Sequence, residues 1–248
     1  AFGNVGGSRK AGLLGTLGDV GIVSFGRGKP LTLLSGGAAV TGSQEIRAAM
    51  DVVLQDRGRA GCAGQLARAA AYWFFFHPRR YWLASHLPGL GLGKSPCPGE
   101  VEIGGMSRFH TTLGAIRLSE YEPRRQARAR RGRWLAGMLR PLEVLGEARL
   151  GRQNAWLRLP VLVGASERHR LLGRLRHLGA TAMYPLPLNE QADCAVHLRP
   201  EVARRSYPHA RRLSRCLITL PLHDFLGEPE ALAIRSALLS PGNLREEG

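Results

Sequence analysis

Lys29 is set among residues suited to covalent chemistry with a carbonyl. It stands in Val23-Ser24-Phe25-Gly26-Arg27-Gly28-Lys29-Pro30, five residues after a serine and shortly before Gly36-Gly37. Glycines let the backbone approach a phosphate closely, a serine hydroxyl donates to one, and a lysine amine on its four-carbon stem still reaches an aldehyde beyond it. In its neutral form such an amine condenses with the aldehyde, and once displaced it carries a proton. Pro30 biases Lys29 away from helical geometry, so the lysine belongs to an extended loop. Arg27 either adds charge to the same phosphate or faces solvent.

That loop needs a frame. Residues 20–25, 31–34 and 38–41 are short β-type runs separated by glycines and a proline, which puts Lys29 in the first connection of a sheet. Ser43 or Thr41 caps a helix beginning near residue 44, with Ile46, Met50, Val53 and Leu54 on one apolar face, and residues 66–71 are again helix formers. A further helical pattern runs from Phe109 through Leu113, Ile116 and Tyr121 to Leu139; Pro123 is expected to kink it and Pro141 to end it. Past Gly151 the texture changes. A strand over 156–163, a helix from Ser166 stopped by Gly179, a strand over 181–184, a helix over 201–213, a strand over 216–220 and a helix over 229–239 make a small α/β unit. The expected division is therefore 1–145 and 146–248.

Composition limits the function classes. At 248 residues and 44% hydrophobic content the chain can bury one sizeable core or two modest ones. No apolar stretch approaches the roughly 20 residues of a membrane span, so no membrane span is expected. Cys62, Cys97, Cys194 and Cys216 have no CxxC pairing and no histidine at ligand spacing, which disfavours zinc and points to reduced thiols in a cytoplasmic setting. The net charge of +16 raises nucleic acid as a partner, but Arg124, Arg125, Arg128, Arg130, Arg131, Arg133 and Arg140 fall in one helical stretch with apolar residues at core-facing intervals. That pattern is first a solvated helix face; an anionic ligand or nucleic acid are the other readings, and no nucleic-acid motif accompanies it. Residues 72–82 hold seven of the sixteen aromatic side chains, a concentration that fits a subunit interface, a wall over a substrate, a membrane-surface contact or packing beneath the following Pro/Gly-rich loop.

These motifs, in this order, resemble the DegT/DnrJ/StrS sugar aminotransferases. Gly18-Asp19-Val20 before Ser24, then Lys29 and Gly36-Gly37-Ala38-Ala39-Val40-Thr41, are similar to the family's "lGDvg.fSF" segment and lysine loop. Met106-Ser107, Leu113-Gly114, Leu118 and Arg124-Arg125 resemble its "ms..qaalG..qL......R" helix; Tyr184-Pro185-Leu186-Pro187-Leu188 resembles "YP.pl", and Leu220-Pro221-Leu222-His223 resembles "LP.H". The resemblance implies the C-terminal part of an α/β, aspartate-aminotransferase-like (fold type I) protein: the end of a large domain with its long connecting helix, then a small domain.

It also implies pyridoxal 5'-phosphate as cofactor, with Lys29 as tether and general base, Ser24 as a phosphate donor and Tyr184 near the substrate. The expected reaction moves an amino group from glutamate or a similar amino-acid donor to a nucleotide-linked keto sugar, in a homodimer. Family members with dehydratase chemistry replace the lysine by histidine. Ala1-Phe2-Gly3 would continue a "D.AQ.fG" strand whose aspartate pairs with the pyridinium nitrogen, so an N-terminal truncation is expected and the piece alone is expected to be inactive. Where the commoner pattern reads "GyNyRms", this chain has Val101-Glu102-Ile103-Gly104-Gly105-Met106-Ser107, so Ile103 lacks the asparagine's hydrogen bond and Gly105 replaces an arginine. His110 stands where many relatives have glutamine and is read as structural. The competing expectation is a non-catalytic relative with a regulatory or anionic-ligand-binding role.

Overall fold

A computed structural model of the chain describes residues 8–9, 12–13, 15–26, 28–55, 63–75, 104–146, 155–183 and 185–240. The elements run β1 (Ser8–Arg9), β2 (Gly12–Leu13), β3 (Gly21–Ser24), β4 (Gly37–Val40), α1 (Gln44–Gln55), α2 (Ala63–Phe75), α3 (Arg108–Ser119) and α4 (Tyr121–Met138). There follow β5 (Arg158–Leu162), α5 (Arg168–Leu175), two one-turn helices α6 (Ala192–Ala195) and α7 (Pro200–Ala203), then α8 (Pro208–Cys216), β6 (Leu217–Pro221) and α9 (Glu228–Leu238). Two compact units result, residues 1–95 with 100–125 and residues 126–248 with 96–99. That division falls inside α4; the sequence reading places its boundary after the helix, at residues 145 and 146.

In the first unit β3 and β4 form an antiparallel pair in which Gly21 faces Val40 and Ser24 faces Gly37. Glycine is required at both ends of this ribbon. A Cβ at Gly37 would stand 2.7 Å from the Val23 carbonyl oxygen, and one at Gly21 would overlap the Gly15 carbonyl. Ser43 caps α1, its Oγ accepting from the Ile46 N–H at 3.3 Å. Thr41, the other candidate cap, serves the preceding turn: its Oγ1 accepts from the Ser43 N–H at 3.1 Å and donates to the Asp19 carbonyl at 2.7 Å.

Two sequence expectations are corrected here. Residues 31–34 form no strand: Leu34 has φ 75°, and only an isolated parallel bridge to Gly26 remains. Nor does Pro123 kink a continuous helix. The break lies at Glu120, whose N–H caps α3 on the Leu118 carbonyl, and Pro123 sits in the first turn of α4, where a missing N–H leaves no helix bond unmade. Arg125, nearly buried, is held there by two 2.7 Å hydrogen bonds to Glu122.

The second unit is built on β5 and β6, paired antiparallel from Arg158↔Pro221 to Leu162↔Leu217. Val144 bridges to Val161 on one side and Thr181 to Thr219 on the other, so the expected strand over 181–184 contributes one bridging residue among those described. Leu159 and Val161 of β5 and Ile218 and Leu220 of β6 are fully buried, against Leu171 and Leu175 of α5 and Ile234 and Leu238 of α9. Gly179 ends the helical segment after α5 in the left-handed conformation, φ 83°, as its sequence position predicts. The expected helix over 201–213 is instead two, α7 and α8, with Pro208 in the first turn of the second.

Candidate functional site

Lys29 sits on the loop that joins β3 to β4, and the loop is closed upon itself. The Phe25 N–H donates to the Gly36 carbonyl at 2.9 Å, the Leu33 N–H to the Phe25 carbonyl at 2.8 Å, and Leu34 bridges to Gly26. Within this clasp the Lys29 N–H donates to the Gly26 carbonyl at 3.2 Å, closing a four-residue turn whose third residue, Gly28, has φ 76°. That is the position at which a type II turn demands a positive φ, so glycine is the residue that fits. Lys29 leaves the turn half-buried, and among the described residues its amine has no ion-pair or hydrogen-bond partner.

Ser24 ends β3, two residues before the turn. Its Oγ accepts from the Gly26 N–H at 3.4 Å, and its own hydroxyl proton has no acceptor among the described residues. A Cβ built on Gly28 would meet nothing within 4 Å, so the turn is open on that side. A hydroxyl with a proton to give, a bare turn and an uncommitted amine fit the phosphate and the aldehyde of pyridoxal phosphate. Tyr184, Arg27, Ile103 and residues 76–82 of the aromatic segment lie outside the described residues. Of that segment, Tyr72 to Phe75 end α2, with Trp73 80% exposed and Phe74 packed edge-on to Phe75 at 5.1 Å between ring centres.

The sequence reading missed what holds the far limb of the loop. Leu33 is 1% exposed, and a Cβ on Gly114 of α3 would stand 3.3 Å from its Cδ1. Ser35 Oγ lies 3.1 Å from His110 Nε2. Gly36, with φ 84°, has Met106 Cε against it, 3.8 Å from where a Cβ would be. Residues 106, 110 and 114 are spaced by four, one face of a helix and its entry, and they meet loop residues 36, 35 and 33 in turn. That spacing is in the sequence; its partners are not adjacent to it and carry no local signal.

His110 is 8% exposed and bonded on both ring nitrogens, as its structural reading anticipates. Its Nδ1 is 3.0 Å from Ser107 Oγ, which also caps α3 by accepting the His110 N–H at 3.4 Å and donates to Gln65 Oε1 of α2. Among the described residues no helix is long and apolar enough to cross a membrane, and no cluster of metal-ligating side chains forms.

Comparison with known proteins gives the family and the fold. Residues 4–238 match the DegT/DnrJ/EryC1/StrS aminotransferase family. No curated protein matches by sequence. Among solved structures, a DegT DnrJ EryC1 StrS aminotransferase from Brucella abortus is similar with a TM-score of 0.64 at 21% identity, over 94% of this chain and 54% of that one. Helicobacter pylori PseC, an aminotransferase involved in the biosynthesis of pseudoaminic acid, gives 0.63 at 18% identity, over 95% of this chain and 56% of that one. The E. coli GDP-4-keto-6-deoxy-D-mannose-3-dehydratase with bound hydrated PLP gives 0.56 at 14%, over 94% and 57%. The chain thus spans about half the length of the structures it resembles, and at these identities the likeness is one of fold.

Proposed function

The chain belongs to the DegT/DnrJ/EryC1/StrS aminotransferase family, and from that premise we propose that it is part of a pyridoxal-phosphate-dependent enzyme that moves an amino group from an amino-acid donor, glutamate, to a nucleotide-linked keto sugar. The observation that carries the reading is the placing of Lys29 at the end of a glycine turn whose loop is fixed along both limbs. Two neighbours support the substrate class: one acts in the biosynthesis of pseudoaminic acid, and the other is named for a nucleotide-linked keto sugar and holds PLP.

Bound here, the cofactor supplies an aldehyde to take up an amine and a ring to withdraw electrons. The protein's part falls to two side chains. Lys29 Nζ would hold the group, and its amine would serve as the base that takes a proton from the donor and gives one back. Ser24 Oγ–H would donate to the phosphate, with the bare backbone at Gly28 allowing close approach. Tyr184 is proposed near the substrate. We place the reaction in polysaccharide or amino-sugar biosynthesis, in a cytoplasmic homodimer.

The test is the visible spectrum of the full-length protein with pyridoxal phosphate, before and after glutamate is added. The reading expects a lysine-bound cofactor band that glutamate bleaches and that is absent in Lys29→Ala. No band, or one that no amino donor alters, overturns it in favour of a non-catalytic relative.

A further inference from the structure

The chemistry just proposed leaves unused a buried histidine bonded through both ring nitrogens. Hydrogen positions in the chain of side chains around it follow from counting protons. Ser107 has one hydroxyl proton and gives it to Gln65 Oε1, so towards His110 it accepts, and Nδ1 of the ring carries the hydrogen. The other ring nitrogen, Nε2, lies at hydrogen-bonding distance from Ser35 Oγ, 3.1 Å away. The hydrogen bonds form one chain through Ser35, His110, Ser107 and Gln65. It ties the far limb of the lysine loop, through α3, to α2.

The consequence for Lys29 follows from the clasp. Ser35 adjoins Leu34, Leu34 bridges to Gly26, and the Gly26 carbonyl receives the N–H of Lys29. A shift of Ser35 therefore reaches the turn that aims the amine. The other ties of this limb to α3 are apolar, Leu33 at Gly114 and Gly36 at Met106, and apolar contacts fix depth more than direction. We propose that His110 is a positioning residue for Lys29, acting through Ser35 to fix the register of the lysine loop on α3. The inference rests on the aminotransferase reading for its consequence, though not for the geometry of the loop.

The experiment uses the full-length protein and two readouts. Hydrogen exchange over residues 25–36 reports the loop whether or not a cofactor binds. Losing the part-buried Ser35–His110 hydrogen bond accelerates exchange there by about twofold to tenfold in Ser35→Ala and at least as much in His110→Ala, while residues 158–162 and 217–221 are unchanged. The double variant goes no further than His110→Ala alone, because that variant already removes the link to Ser35. His110→Gln, which keeps one acceptor and one donor at similar reach, returns exchange to near wild type. The second readout is the rate at which pyridoxal phosphate is captured at Lys29, read by borohydride reduction and peptide mapping, slowed in step with loop opening. Unchanged exchange over 25–36 in both single variants overturns the proposal, as does an opened loop that captures at the wild-type rate. If the loop opens as described but the wild-type protein captures no cofactor at Lys29, the anchoring by His110 stands and the aminotransferase reading falls.

Discussion

Leu33→Ala tests whether the lysine loop is held by burial as well as by hydrogen bonds. Leu33 is 1% exposed and lies against α3 where Gly114 leaves room for it. The substitution removes three carbons, worth about 0.8 kcal/mol each in transfer from water, so about 2.4 kcal/mol is lost before any cavity is counted. Measured Leu→Ala changes in cores run from about 2 to 5 kcal/mol, depending on how far the site collapses. This site collapses only in part, because Phe25, Leu33 and Gly36 are pinned to one another by backbone hydrogen bonds. We expect a loss of about 3 kcal/mol in the free energy of local opening. Native-state hydrogen exchange at the amides of positions 25 and 33 reads it, since both donate inside the clasp. A loss below about 1 kcal/mol would mean that Leu33 contributes little to holding the loop, and the packing argument would be wrong.

Other consequences are independent of it. Gly132→Ala sets a Cβ 2.8 Å from Trp156 Cε3, and the indole cannot easily retreat because its Nε1 donates to the Leu145 carbonyl at 3.2 Å. A helix-propensity gain of about 0.5–1 kcal/mol is outweighed by an overpacking cost of about 1–3 kcal/mol, so chemical denaturation should show net destabilisation. If Ser24 holds the cofactor phosphate as proposed, Ser24→Ala should raise the dissociation constant for pyridoxal phosphate by about 10- to 100-fold, measured by titration of the full-length protein. Desolvation first, then the cations of Arg131 and Arg158, hold His223 below its ordinary value of 6.5. The unfolded chain therefore binds the proton more readily, so this contribution is intact above pH 6.5 and is lost as pH falls from there through the lowered value. His223→Gln should flatten that acid limb in thermal melts taken across this range.

What could be read from the sequence was local. The Ser43 cap, the Gly179 stop and the loop position of Lys29 after its strand each depend on the chemistry of a few adjacent residues, and each is found in place. Residues 31–34 read as a strand because three of the four are leucines and the fourth, Thr32, is β-branched. They fold as a loop because Thr32 Oγ1 accepts the Leu34 N–H at 3.2 Å and Leu33 finds its burial on α3 instead of in a sheet. Pro123 read as a kink because a helical pattern runs through it; only the position of the preceding cap at Glu120 shows that the proline opens a new helix. The link between Ser35 and His110 spans 75 residues, beyond the reach of any periodicity argument. The sequence reading follows Phe109, Leu113 and Ile116 along α3, whereas the loop meets residues 106, 110 and 114 instead.

The central claim is that Lys29 is the amine that captures the cofactor. It is tested most directly by incubating the full-length protein with pyridoxal phosphate, reducing with borohydride and mapping the modified peptide. The account predicts one stoichiometric label, on Lys29, lost on prior addition of glutamate. A label on another lysine, or a bound cofactor that borohydride does not fix to the protein, would contradict it.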